Sequence, residues 1–163
     1  MPETKLRAMR AADVLQVVNC EAAGLSRGGW GQYAHAPGDL EYFLRQQVKN
    51  LQRLTVAVDC HNIVRGYLHA DCGTLRNEAR LKRLVVHGDW WKLGVGRQLL
   101  ESFLVQCRDA DVDCVCEVPF GMLPRAANFL KKFSFRGTST YSVADDDYCT
   151  MRWTPKVAQK VGV

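Results

Sequence analysis

The sequence predicts an α/β (α+β) fold in one domain spanning residues 1–163, with a mixed central sheet of six to seven strands and about four helices. Three observations predict it. Residues 54–71 and 137–153 each read as two alternating runs separated by a turn, the pattern of an antiparallel hairpin. The stretch LVVHGDWWKLGVGRQLL, residues 84–100, reads as a strand end, a glycine turn and the start of a helix. A further run, Asp113 to Val118, closes a strand, helix, strand unit, whose connection is right-handed when the strands are parallel.

Taken in order, the chain opens with a short strand around Leu6 to Met9 and a helix for which Asp13 can serve as N-cap, with Val14, Val17, Val18 and Glu21 at helical spacing. Residues 24–39, rich in glycine and aromatics, are expected to be irregular. They read equally as a substrate-binding loop or as a connector with Trp30 and Tyr33 pinned on the core. Asp39 then caps a helix that carries Leu40, Phe43, Leu44 and Val48 on one face. In the first hairpin, Gly66 would ease close strand packing. Residues 79–86 alternate apolar and basic before Leu84-Val85-Val86, as a strand does when both faces become covered. From Gly96 a helix places Leu99, Leu100, Phe103, Leu104 and Cys107 toward the sheet. After the strand Asp113 to Val118 come a loop with two prolines and a helix within residues 125–137. The chain closes on a hairpin with its turn at 144–147, and a tail beyond Pro155 that is expected to fray.

Composition narrows the partners. A formal charge of +5, from 22 basic against 17 acidic side chains, suits a polyphosphate ligand. No basic run is interleaved with aromatics, so nucleic acid is not the expected partner. The absence of an 18-residue apolar run and the polar start MPETKLRAMR give the expectation of a cytoplasmic protein with no membrane partner. The seven cysteines, odd in number and scattered, are read as reduced, and Cys114 and Cys116 as packing residues on one face of a strand. With no CxxC pair, no metal is expected.

A glycine turn between strand and helix leaves amide N–H groups at the positive end of a helix dipole, which is how phosphate is held. Two nucleotide-binding patterns fit it poorly. A dinucleotide fingerprint wants a third glycine where Leu99 stands, and a Walker loop wants Lys-Ser/Thr where Arg97-Gln98 stand. The stretch Trp91-Lys92-Leu93-Gly94-Val95-Gly96 instead resembles the acyl-CoA pyrophosphate loop of the GNAT superfamily of N-acyltransferases, Arg/Gln-x-x-Gly-x-Gly/Ala, with Trp91 at the Arg/Gln position. A second resemblance lies in residues 126–135, which follow the family's A-x-x-x-Tyr-x-x-x-Gly-Phe helix and turn. Leu130 stands for Tyr, Ser134 for Gly, and the Asn of the preceding loop falls on Met122 or Leu123. The likeness spans residues 5–154.

The resemblance implies a GNAT fold, with a splay between its two central parallel strands, and acetyl-CoA as co-substrate. The backbone of Leu84, Val85 and Val86 would pair with pantetheine, and one of its amides would polarise the thioester carbonyl. The amides of Lys92, Leu93, Gly94, Val95, Gly96 and Arg97 would hold the pyrophosphate, with Trp91 packed beside it and Asn128 and Lys131 on the later helix also meeting the cofactor. In the competing reading the glycines only make a tight turn. Glu117, in Cys116-Glu117-Val118, aligns with the Leu-Glu-Val of peptide N-terminal acetyltransferases and is the expected base. A simple pairing with a neighbouring Arg or Lys is the alternative. His87 is a second candidate base, and Tyr141 a substitute for the missing acid. The implied activity is acetyl transfer to an amine acceptor, a protein N-terminus, a lysine or a small amine, with a homodimer or assembly partner possible in such proteins. The alternative is a catalytically inactive GNAT-fold binding or structural subunit of a larger assembly, for example a phage particle. Three features support it: Trp91, Leu130 and the missing Asn. Exposed Trp90 and Trp91 would suit a protein interface.

Overall fold

Eleven regular elements follow one another in the computed structural model, which describes residues 2–29, 31–49, 53–72 and 78–155. They are β1 (Lys5–Ala8), α1 (Val14–Arg27), α2 (Pro37–Lys49), β2 (Arg53–Val58), β3 (Val64–Asp71), β4 (Glu78–Val86), α3 (Val95–Asp109), β5 (Asp113–Pro119), α4 (Leu123–Lys131), β6 (Arg136–Val143) and β7 (Asp146–Trp153). The strands form a seven-stranded mixed sheet in the order β1-β2-β3-β4-β5-β7-β6. The β4/β5 pair is parallel, and the β1/β2, β2/β3, β5/β7 and β6/β7 pairs are antiparallel. By contact the chain divides into two units, Met1–Ala70 with Arg83–Phe103, and Asp71–Lys82 with Leu104–Val163. The expectations for Trp30 and for the tail beyond Pro155 lie on or across residues outside those described, as does the side chain of Val48.

In the first unit, α1 and α2 supply Val14, Val17, Leu40 and Leu44 to a buried core shared with Val56 and Tyr67 of the strands. The start of α1 differs from expectation. Asp13 makes no side-chain cap to the helix. Its carboxylate instead takes two bonds from the Arg7 guanidinium, at 2.6 and 2.9 Å, and one from the Arg10 amide at 2.7 Å. That guanidinium holds the Asp13 carboxyl below the ordinary carboxylate range, against the opposing effect of burial.

Helix α1 also runs on to Arg27, so Gly24 to Arg27 are helical rather than part of an irregular loop. Gly24 is there for packing. A Cβ at this position would lie 2.4 Å from the Val86 carbonyl oxygen, so only glycine lets the helix approach the end of β4 this closely. Helix α2 likewise begins earlier than expected, at Pro37, a residue suited to the first helical position, which puts Asp39 in the first turn rather than at the cap. The β2/β3 hairpin is as expected, and its turn is closed by Asp59, whose carboxylate accepts from the amides of His61 and Ile63. Gly66 admits more than a neighbouring strand: its absent side chain makes room for Val95 and Leu99 of α3.

In the second unit the parallel ladder runs from Glu78↔Asp113 to Leu81↔Cys116, while β4 continues to Val86. Leu104, Cys107, Cys114, Val118, Leu130 and Trp153 are buried. Cys114 is fully buried as a packing residue, and its hydrogen bond with Cys107, together with burial, pushes its thiol well above the ordinary range. Helix α4 starts two residues before the predicted segment and ends at Lys131. Beyond it Ser134 takes a left-handed φ of 72°, which explains why the resembled motif has glycine there. The last turn is tighter than expected. Asp146 and Asp147 pair with Val143 and Ser142, leaving Ala144 and Asp145 to reverse the chain, with Ala144 at φ 53°.

Candidate functional site

The glycine turn belongs to the first unit. Past Val86 the chain makes one 3-10 turn, Gly88–Trp90, and then a tight reversal in which Lys92 and Gly94 take φ values of 65° and 87°. A lysine in the left-handed region is uncommon, and Lys92 is one of five such non-glycine residues among those described. Helix α3 begins at Val95, so the amides of Val95 and Gly96 lie in its first turn, where N–H groups have no intrahelical acceptor. Lys92 and Arg97 are exposed around this turn.

The two tryptophans are not the exposed surface the sequence suggested. Both are half-buried. The Trp91 indole N–H donates to the Val86 carbonyl at 2.8 Å, and the Arg27 guanidinium lies over its ring at 5.7 Å while donating to the Gly88 carbonyl at 2.6 Å. Trp90 is covered by Arg65 at 5.0 Å, and Asp59 binds that guanidinium in turn. Aromatic faces attract guanidinium groups, so each ring is packed by a cation instead of standing open. Trp91 therefore fastens the turn back onto β4. Of the expected pantetheine strand, Val85 is buried and Leu84 and Val86 are half-buried.

Two of the three candidate catalytic residues meet in the second unit. Glu117 is exposed and 3.2 Å from Arg80, so the pairing anticipated as its alternative role is present. Arg80 also reaches Glu78, which bonds Arg152, which bonds Asp113, so acids and arginines alternate across β4, β5 and β7. Tyr141 neighbours Glu117. Loss of solvent and that carboxylate push the phenol up to about 12. Its ring stacks on Tyr148 at 5.4 Å. His87 belongs to the other unit. Its amide donates to the Arg65 carbonyl at 2.8 Å and its Nδ1 accepts from the Asp89 amide at 3.2 Å. On α4, Asn128 and Lys131 are exposed, whereas Leu130, in the place of the family's Tyr, is core.

A third cluster was missed. Glu21 of α1 is only 1% exposed. Its Oε1 accepts from the Tyr67 hydroxyl at 2.7 Å and pairs with Arg83 at 3.1 Å, and its Oε2 accepts from the His35 amide at 3.1 Å. Burial, followed by the Glu21 charge, raises the Tyr67 hydroxyl well above its ordinary value. The signal was in the sequence: an acid on the core face of an amphipathic helix demands buried partners. Among the described residues no group of three or more His, Cys, Asp and Glu is placed to hold a metal ion, and no helix is long and apolar enough to cross a membrane.

No protein-family model matches the sequence, and no curated protein matches it significantly. The fold does have counterparts among solved structures. A ribosomal-protein alanine N-acetyltransferase from Escherichia coli superposes with a TM-score of 0.75 at 14% identity, over 93% of this chain and 94% of that one. Ard1 from Thermoplasma volcanium gives 0.72 at 20% identity, covering 93% and 97%. PaiA N-acetyltransferase from Thermoplasma acidophilum, solved in complex with coenzyme A, gives 0.73 at 14% identity, covering 93% and 99%. The fold is thus the GNAT fold, the one these N-acetyltransferases share, with a seven-stranded mixed sheet, four helices and a parallel central pair.

Proposed function

We propose that the chain is an acetyl-CoA-dependent N-acetyltransferase that passes the acetyl group directly to an amine of a protein N-terminus, a lysine or a small molecule. The observation that carries this reading is the turn between β4 and α3. Left-handed Lys92 and Gly94 lead into the free amides of a helix N-terminus, at the position of the acyl-CoA loop in a GNAT fold. Structural neighbours that are N-acetyltransferases, one of them holding coenzyme A, support it.

In this reading the amides from Lys92 to Arg97 hold the pyrophosphate, with Trp91 packing beside it, and Asn128 and Lys131 of α4 are assigned to the same cofactor. The backbone of Leu84, Val85 and Val86 takes the pantetheine arm. One of its amides stabilises the oxyanion as the amine attacks, a contribution that in comparable sites is worth about two to three powers of ten in rate. Glu117 accepts a proton from the attacking nitrogen, and Tyr141, whose phenol is raised by that carboxylate, helps return it to sulfur. A thiol with an ordinary pKa of about 8.5 is a good leaving group, so the loss of the family's Tyr at Leu130 is tolerable. One observation favours the second reading, a non-catalytic GNAT-fold binding protein: the Trp91 indole occupies the Val86 carbonyl.

The test is release of CoA from acetyl-CoA against a panel of amines. Glu117→Gln is expected to lower the rate by about two powers of ten, the modest end for general base catalysis. An unchanged rate moves the base to His87 or water. Binding of acetyl-CoA without turnover on any amine selects the second reading.

A further inference from the structure

The Val86 carbonyl ends the strand assigned to the pantetheine arm, and the chain's own groups enclose it. Along β4 the Val85 carbonyl faces Gly66 of β3, and the His87 amide donates to the Arg65 carbonyl of β3 at 2.8 Å. Backbone groups of successive strand residues point to opposite edges, so the Val86 carbonyl between them is turned away from β3. There the Trp91 indole donates to it at 2.8 Å, and Gly24 of α1 packs so close that a Cβ would sit 2.4 Å from the same oxygen. With helix backbone on one side and the indole on the other, a new donor reaches this oxygen only by displacing the indole. The base of the turn and its cover are held differently. Gly88 packs on α1, where a Cβ would lie 2.9 Å from the Ala23 carbonyl oxygen, so the backbone is fixed against the helix there. The indole is held by a neutral hydrogen bond and by the Arg27 guanidinium over its ring, and that arginine keeps 53% of its side chain in water. Contacts of both kinds are modest and reversible.

Resting on the acetyl-CoA reading of the turn between β4 and α3, we propose that Trp91 is a latch on the pantetheine site. Its indole holds the Val86 carbonyl in the free protein, and an amide N–H of the pantetheine arm takes that carbonyl when acyl-CoA binds. The exchange is one hydrogen bond for another, with no covalent step. The released indole N–H turns to water while its ring stays with the turn, beside the pyrophosphate. The latch makes Trp91 a specificity-determining residue. A nucleotide that brings only a pyrophosphate meets the amides from Lys92 to Arg97 but has no arm to compete for the carbonyl, so it binds with the latch closed. A ligand with the arm must break one bond to make another, and binds more weakly than it would to an open carbonyl. The contact that favours a non-catalytic protein thus becomes a gate that sorts ligands by their arm.

Calorimetry with acetyl-CoA and with ADP is compared for wild type and Trp91→Phe, a change that keeps a ring under Arg27 and removes the N–H. Trp91→Phe is expected to bind acetyl-CoA about fivefold tighter, the weight of one net hydrogen bond, and ADP with unchanged affinity. Acetyl-CoA affinity that is unchanged or weaker in the variant overturns the proposal, as does an equal gain for ADP. Nitrogen-15 NMR of the wild-type Trp91 indole gives a readout that does not need the variant to fold. Its N–H is expected to lose protection from hydrogen exchange when acetyl-CoA is added and to keep it with ADP. Protection retained at saturating acetyl-CoA overturns the latch and leaves the acetyl-CoA reading standing, because binding has then been seen. If neither protein binds acetyl-CoA, both fall.

Discussion

Two clusters of charge, one in each unit, solve the same problem in opposite ways. Glu21 is 1% exposed, and both its oxygens are bonded by groups from β3, β4 and the turn after α1. Glu117 keeps 45% of its side chain in water, in a row of acids and arginines that share partners at 3.0 to 3.2 Å. A buried charge must be matched completely or it destabilises the fold, so the first cluster is fixed. Exposed pairs are worth little and exchange with solvent, so the second can give up a partner to a substrate at small cost.

The sharpest way to break this contrast is Glu21→Leu. It leaves the buried Tyr67 hydroxyl without its acceptor and Arg83, which keeps the Tyr33 carbonyl, without its counter-charge, and is expected to cost about 3–5 kcal/mol in urea unfolding. A loss under 1 kcal/mol would mean that the cluster is as adaptable as the exposed row. Gly24→Val tests whether the helix bearing Glu21 is locked against Val86. A Cβ at 2.4 Å from a backbone oxygen forces a shift, expected to cost about 2–3 kcal/mol.

Asp13→Asn probes an intermediate case, since its carboxylate is 5% and Arg7 15% exposed. About 2 kcal/mol should be lost at pH 7, as for a hydrogen bond to a charged group. Because the bond with Arg7 depresses the folded-state pKa, its stabilisation is complete above the unfolded carboxylate value of about 3.9 and disappears as pH falls through the lower folded value. The gap between variant and wild type should therefore close in strong acid, which thermal melts across pH will show. The smallest expected effect is that of Glu117→Gln on stability, within about 0.5 kcal/mol. A larger loss would place Glu117 among the structural charges and weaken its assignment as a base.

What could be read from the sequence was what local pattern determines. The β2/β3 hairpin, the apolar stripe of α3 and the strand β5 each carry their period within a few residues, and each is present. Contacts across long separations were not legible. Glu21 finds Tyr67 46 residues away, and Asp13 is drawn from its capping role by Arg7, a partner that a propensity for caps does not reveal. Gly24 opens a stretch whose glycine and aromatic content predicts irregular structure, whereas here it serves the close approach of α1 to β4. The expectation of an exposed Trp91 fails because nothing local shows that its indole reaches the Val86 carbonyl under Arg27. Glu117 and Tyr141 were named separately, and the register of β5, β7 and β6 brings them together.

The central claim is that the turn from Trp91 to Arg97 is an acyl-CoA site. Calorimetry with acetyl-CoA tests it most directly. The account predicts saturable binding at one site per chain in the micromolar range, equivalent to about −7 to −8 kcal/mol, with Gly94→Val weakening it by disturbing the left-handed turn. No heat of binding at high micromolar protein would contradict it.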